Sequence, residues 1–123
     1  MTKRKILIID DDPVMVKMLE HRLEANMYDV ISAYDGEEGL GKVRKERPDL
    51  IILDLRLPTM SGYKVCALLK GHPIYKEIPI IMLTAMDEKL DMELGQVLGA
   101  DAYITKPLEP DNLLSTINEL IEK

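Results

Sequence analysis

The run Leu50-Ile51-Ile52-Leu53 is followed at once by Asp54. Four aliphatic side chains in succession do not alternate with polar ones, so both faces of this strand must be covered, as in a parallel sheet packed between two layers of helices. Ile80-Ile81-Met82-Leu83, which ends on Thr84, reads in the same way. Outward from these two, β-branched or aliphatic runs stand at Lys5 to Ile9, Tyr28 to Ala33, Leu50 to Leu53, Ile78 to Leu83 and Ala102 to Thr105, and these are the five predicted strands.

Helical patterns alternate with the strands. Asp12 caps the first and Pro13 fits its opening turn; Met15, Met18, Leu19 and Leu23 share one face, and the helix ends near Asn26. Asp35 caps a second through Glu37, Glu38, Leu40 and Val43, with Pro48 closing it. The third starts after Gly62, turns Val65, Leu68 and Leu69 inward and stops around Gly71 to Pro73. A fourth, about Asp87 to Leu98, ends on Gly99 and contains Gly95, which weakens it by about 1 kcal/mol relative to alanine. The fifth starts at Pro110 and directs Leu113, Leu114, Ile117, Leu120 and Ile121 to the core. The expected fold is an α/β three-layer sandwich, a (βα)5 doubly wound parallel sheet. The pattern runs to the chain end, so residues 1–123 are expected to form a single domain with no output domain in this chain.

Composition bounds the function. The chain has 123 residues, Lys+Arg 16 against Asp+Glu 22 and a net charge of -6, with 46% hydrophobic residues. One core of ordinary size fits this length, and no segment approaches the roughly 20 apolar residues of a membrane span. Lys3-Arg4-Lys5 leads only into Ile6 to Ile9 before three acids arrive, too short a stretch for a secretory signal, so a cytoplasmic location is expected. Cys66 is the single cysteine and His21 and His72 stand far apart, which leaves no disulfide, Cys-rich zinc site or His-metal cluster. The acidic balance argues against direct nucleic-acid binding. Cys66 is expected as a small buried residue, and both histidines as exposed residues without a role.

Ligands of an open parallel sheet bind beyond the carboxyl ends of its strands. The residues there are Asp10, Asp11 and Asp12 after the first strand, Asp54 after the third, Thr84 after the fourth, and Lys106 with Pro107 after the fifth. Capping accounts for Asp12 but not for Asp10 and Asp11. Were Asp11 and Asp54 roughly 5 Å apart, their repulsion at an effective dielectric near 20 would be on the order of 3 kcal/mol. Lys106 offsets part of it, and a hard divalent cation held by a few carboxylate oxygens, as Mg²⁺ usually is, would offset more. Beside such an ion, Asp54 becomes an oxygen nucleophile able to form an aspartyl-phosphate, with Lys106 and the Thr84 hydroxyl suited to the phosphoryl oxygens.

Four strings together resemble the receiver domain of two-component response regulators, of the chemotaxis-regulator type. They are Ile6-Leu7-Ile8-Ile9-Asp10-Asp11-Asp12-Pro13, Leu53-Asp54-Leu55-Arg56-Leu57-Pro58-Thr59-Met60-Ser61-Gly62, Leu83-Thr84-Ala85, and Gly99-Ala100-Asp101-Ala102-Tyr103-Ile104-Thr105-Lys106-Pro107. The resemblance implies strand order 2-1-3-4-5 and a cis Lys106–Pro107 bond. It further implies that Asp54 accepts a phosphoryl group from a sensor histidine kinase or histidine phosphotransfer protein. Asp11, Asp54 and the Arg56 carbonyl would ligate Mg²⁺, with Asp10 acting through water, and Lys106 would pair with a phosphoryl oxygen. The Thr84 hydroxyl and Ala85 amide would be drawn to the phosphoryl group while Tyr103 swings inward, rearranging the face of the predicted fourth helix, fifth strand and fifth helix for partner binding. Such a protein is a signalling switch rather than an enzyme, with autophosphorylation and self-dephosphorylation as its only catalysis, either monomeric or dimerising on phosphorylation. Its downstream protein target is not readable from one sequence.

Some further readings rest on the residues and others on the resemblance. Tyrosine on a strand, as at Tyr103, is most often a plain β-former with its hydroxyl in water. Met86 and Met92 suit either an adaptable contact face or core filling. Arg56 and Met86 stand where the family varies and tunes phosphoryl loss. The lead His72-Pro73-Ile74-Tyr75-Lys76-Glu77-Ile78-Pro79 resembles that of free-standing receivers and of those joined to cyclase or kinase modules. A haloacid-dehalogenase-type phosphatase would need an acid at Arg56. A flavin carrier would not place three aspartates where a phosphate must sit, and a pseudo-receiver would not need the full set of acids, Thr84 and Lys106.

Overall fold

Parallel pairing of Ile6, Leu7, Ile8 and Ile9 with Leu50, Ile51, Ile52 and Leu53 sets the middle of the sheet. The structure, a computed structural model, describes residues 3–84 and 98–122. Its elements are β1 (Lys5–Ile9), α1 (Pro13–Ala25), β2 (Asp29–Ala33), α2 (Gly36–Glu46), β3 (Leu50–Asp54), α3 (Gly62–Lys70), β4 (Ile80–Thr84), β5 (Ala102–Thr105) and a C-terminal helix α4 (Pro110–Ile121). All strand pairs are parallel, in order β2-β1-β3-β4-β5. The expected doubly wound order is therefore present. Most of the predicted fourth helix, with Ala85, Met86, Met92 and Gly95, lies outside the described residues.

Alternation of side chains along the strands divides the core into two layers. One face packs Leu7, Ile9, Ile51, Leu53, Ile80 and Met82 against Val43 of α2 and Val65, Cys66 and Leu69 of α3. The other packs Ile6, Ile8, Leu50, Ile52, Ile81 and Leu83 against Val16, Leu19 and Leu23 of α1 and Leu113 and Ile117 of α4. Cys66 is buried, as its sequence context suggested. Asp12 caps α1 by accepting from the Val14 amide at 3.0 Å, and Asp35 caps α2 by accepting from Glu38 at 2.8 Å. The Lys106–Pro107 peptide is cis, and Gly99 adopts φ +91.

Four details depart from expectation. Met18 is 51% exposed and Leu68 47% exposed, because α1 and α3 each carry more aliphatic residues than one sheet face can cover. Strand β4 begins at Ile80 rather than Ile78: the Ile78 amide closes a turn onto the Tyr75 carbonyl at 3.1 Å, and Pro79 has no N–H to give. His72 is half-buried, its Nδ1 accepting from the Ile74 amide at 3.1 Å and its ring 4.5 Å from that of Tyr75. The lead into β4 is also fastened. Lys70 Nζ donates to the Lys76 and Ile78 carbonyls at 3.2 and 2.9 Å and to Asp101 Oδ2 at 2.7 Å, while that oxygen also accepts from the Ile80 amide at 2.8 Å.

Candidate functional site: an acidic cluster at the strand ends

The register of β1 on β3 stops at Ile9 opposite Leu53, so the next residue of each chain segment, Asp10 and Asp54, arrives at the same edge of the sheet. Asp11 follows Asp10. Ligand oxygens of Asp10, Asp11 and Asp54 lie within 4.8 Å of one another. Asp10 is fully buried and Asp54 is 6% exposed, whereas Asp11 is exposed. The Asp12 amide donates to Asp10 Oδ1 at 2.9 Å, fixing that carboxylate, and the Arg56 amide stands 3.5 Å from Asp54 Oδ1. Gly62 donates to the Leu55 carbonyl at 2.9 Å, which ties the start of α3 to the chain just past Asp54.

Lys106 is delivered by β5. Its amide donates to the Thr84 carbonyl at 2.7 Å, which holds the end of β5 to the end of β4. Its Nζ then lies 3.5 Å from Asp10 Oδ2 and 3.4 Å from Asp54 Oδ1. Thr84, paired with Thr105, is buried at the last position of β4. Thus Asp10, Asp11, Asp54, Thr84 and Lys106 converge at one end of the sheet, as the sequence placed them. Ala85 lies outside the described residues.

The electrostatics leave the acids undercompensated. Burial raises the Asp10 pKa above the ordinary carboxylate value, against the lowering effect of the Asp12 amide and Lys106. Burial and then the Asp10 charge raise that of Asp54, again against Lys106. Asp10 Oδ2 is buried with no hydrogen-bond partner among the described residues. A further cation is what this donor set lacks, and three carboxylates of hard oxygen suit Mg²⁺.

Beside the cluster opens a cleft of 470 Å³ lined by Asp11, Leu55, Arg56, Leu57, Pro58, Ser61 and Tyr63. Ser61 and Tyr63 were not singled out from sequence; their only signal is their place around Gly62, where α3 starts. Tyr103 corrects its residue-level reading. Its hydroxyl is buried rather than in water, with no hydrogen-bond partner among the described residues, and burial, with Cys66 and Asp101 nearby, pushes its pKa up to about 12.

Residues 6–118 match the response regulator receiver domain family. The chain belongs to that family. This receiver is 44% identical over 98% of its length to the alkaline phosphatase synthesis transcriptional regulatory protein PhoP of Bacillus subtilis, covering 49% of that protein. It spans about half the length of the curated relatives it matches. A response regulator structure from Chloroflexus aurantiacus superposes with a TM-score of 0.96 at 36% identity, covering 99% of this receiver and 100% of that chain. The receiver domain of a sensor histidine kinase from Pseudomonas aeruginosa, solved with magnesium in its active-site cleft, gives a TM-score of 0.91 at 28% identity, covering 99% and 100%. Transcriptional regulators and receivers of histidine kinases both stand among these relatives. No helix among the described residues is long and apolar enough to cross a membrane.

Proposed function

We infer that this receiver is a phosphorylation-controlled switch whose acceptor is Asp54. The observation that carries the reading is the convergence of three carboxylates within 4.8 Å of one another, with Lys106 Nζ 3.4 Å from Asp54. Asp11, Asp54 and the Arg56 carbonyl would hold Mg²⁺, with Asp10 acting through water, and the ion would supply positive charge to neutralise incoming phosphoryl oxygens. The magnesium in the Pseudomonas aeruginosa receiver supports this assignment.

An Asp54 carboxylate oxygen attacks the phosphorus of a phosphohistidine on a sensor kinase or phosphotransfer protein; the new O–P bond forms as the P–N bond breaks. Lys106 pairs with one phosphoryl oxygen, and the Thr84 hydroxyl and Ala85 amide take others. Thr84 and Tyr103 pass the change to the surface formed by β5, α4 and the segment between β4 and β5. The burial of the Tyr103 hydroxyl, which has no hydrogen-bond partner among the described residues, supports that role, since such a group gains from an arrangement that gives it a partner. Autophosphorylation and self-dephosphorylation are the catalysis; the receiver works in the cytoplasm, and a sensor kinase or phosphotransfer protein and a downstream protein target complete the pathway.

The test is intact mass after incubation with acetyl phosphate, with and without Mg²⁺, for wild type and Asp54→Asn. One Mg²⁺-dependent phosphoryl adduct, absent from the variant, is expected. A folded wild type that gains no adduct from acetyl phosphate or from a phosphohistidine donor refutes the switch and leaves a pseudo-receiver.

A further inference from the structure

Helices α2 and α3 leave between them a groove of 190 Å³ lined by Leu40, Arg44, Leu68, Leu69, His72 and Tyr75. It shares no residue with the acidic cluster or the cleft beside it. Leu69 and Tyr75 form a buried floor, Leu68 is 47% exposed, and Ile74, in the same turn as His72 and Tyr75, is 57% exposed. Small-molecule sites usually run to ~300 Å³ or more, so this groove suits one anchoring side chain.

Cations surround the apolar floor. Arg44 lines the groove, the Arg47 guanidinium lies 5.5 Å from the Tyr75 ring centroid, and Lys64 precedes Leu68 by one helical turn on the same face. No ion pair joins Arg44, Arg47 or Lys64 to a carboxylate among the described residues. Glu37, one turn before Leu40, is an acid on the same stripe of α2. In a chain of net charge -6, an exposed leucine set among three unpaired cations calls for a partner of opposite sign with an apolar anchor.

We propose that the α2–α3 groove is a docking surface for an acidic protein segment, which inserts one large apolar side chain beside Leu40 and Leu68 and sets carboxylates against Arg44, Arg47 and Lys64. The surface operates independently of phosphorylation at Asp54.

The experiment titrates the isotope-labelled chain with a synthetic helical peptide bearing leucines at i, i+4 spacing flanked by glutamates, followed by amide chemical shifts. Shifts confined to α2, α3 and the turn after α3 are expected, unchanged in Asp54→Asn, which separates this surface from the phosphoryl site. Leu68→Glu and Arg44→Glu, both at exposed positions, are each expected to weaken binding about tenfold or more. The inference is overturned if no shifts appear at millimolar peptide, or if both variants bind as wild type while retaining the folded spectrum. It is equally overturned if a lysine-flanked peptide with the same leucines or an oligothymidine produces the same shifts. Concentration-dependent self-association that Leu68→Glu abolishes would assign the groove to a second copy of the chain instead.

Discussion

A Cβ on Gly62 would stand 2.2 Å from the backbone carbonyl oxygen of Asp54 and 2.8 Å from the Leu55 Cα. The start of α3 therefore presses directly on the backbone that presents the Asp54 carboxylate, and only glycine permits that approach. Gly62→Ala is expected to cost about 1–3 kcal/mol, since backbone rather than a flexible side chain must yield. Gly41→Ala is the contrast: its Cβ meets nothing within 4 Å, and α2 should gain about 1 kcal/mol. Urea denaturation of the two variants checks both signs.

Metal addition should stabilise the fold. A ligand that binds only the native state at about 100 times its Kd contributes ~2.7 kcal/mol, a melting-temperature rise of several degrees for a domain of this size. Asp11→Asn should remove most of that rise while leaving the metal-free melting temperature level or slightly higher, because the substitution takes away a charge that repels Asp10. Calorimetry with and without millimolar Mg²⁺ reads both; a wild type indifferent to Mg²⁺ would remove the metal site.

Without metal, stability should depend on pH through Asp10. Its pKa is raised in the folded chain, chiefly by burial, so between the ordinary 3.8 and the raised value the native state binds more protons than the unfolded one. Stability then falls as pH rises through that interval. Asp10→Asn keeps an oxygen for the Asp12 amide and removes the buried charge. The variant should be more stable than wild type at neutral pH in chelator, with the gap closing as the pH is lowered toward 3.8. Denaturation series at several pH values test this, and a constant gap would contradict it.

Lys106→Ala removes the amine that stands beside both Asp10 and Asp54. The substitution keeps the Lys106 amide bond to the Thr84 carbonyl, so the fold should persist by circular dichroism, with a lower melting temperature because Asp10 and Asp54 lose their counter-charge. Phosphorylation by acetyl phosphate should slow by about tenfold or more, as expected when a charge aimed at developing phosphoryl charge is lost. Rates equal to wild type would remove Lys106 from the chemistry.

Much of this was legible in the sequence because it depends on local rules. Unalternating runs at Leu50 and Ile80 required a sheet covered on both faces, and Asp12 and Asp35 announced helix starts. The acids could be grouped because strand ends of a parallel sheet share one edge, so Asp10, Asp54, Thr84 and Lys106 had to meet there. What escaped depends on how much surface neighbours cover and on chain reversals. Met18 and Leu68 lie on faces whose apolar residues exceed the area the sheet can bury. Tyr103 follows strand alternation, but whether its hydroxyl reaches water depends on layers above it. The Lys70 clasp on Asp101 and the lead carbonyls joins segments 31 residues apart, and no local signal specifies it.

The placement of Asp10 and Asp54 on two hydrogen-bonded central strands has a consequence for the newly made chain. Asp10 leaves the ribosome before its acidic partner on β3, and the amine between them follows β5, later still. The contacts that assemble the site span most of the chain, and such long-range pairing forms only when the intervening segments are in place. A partly synthesised receiver therefore has aspartates but no assembled cluster, and the meeting of Asp10, Asp54 and Lys106 is itself a report that β1, β3 and β5 have come together.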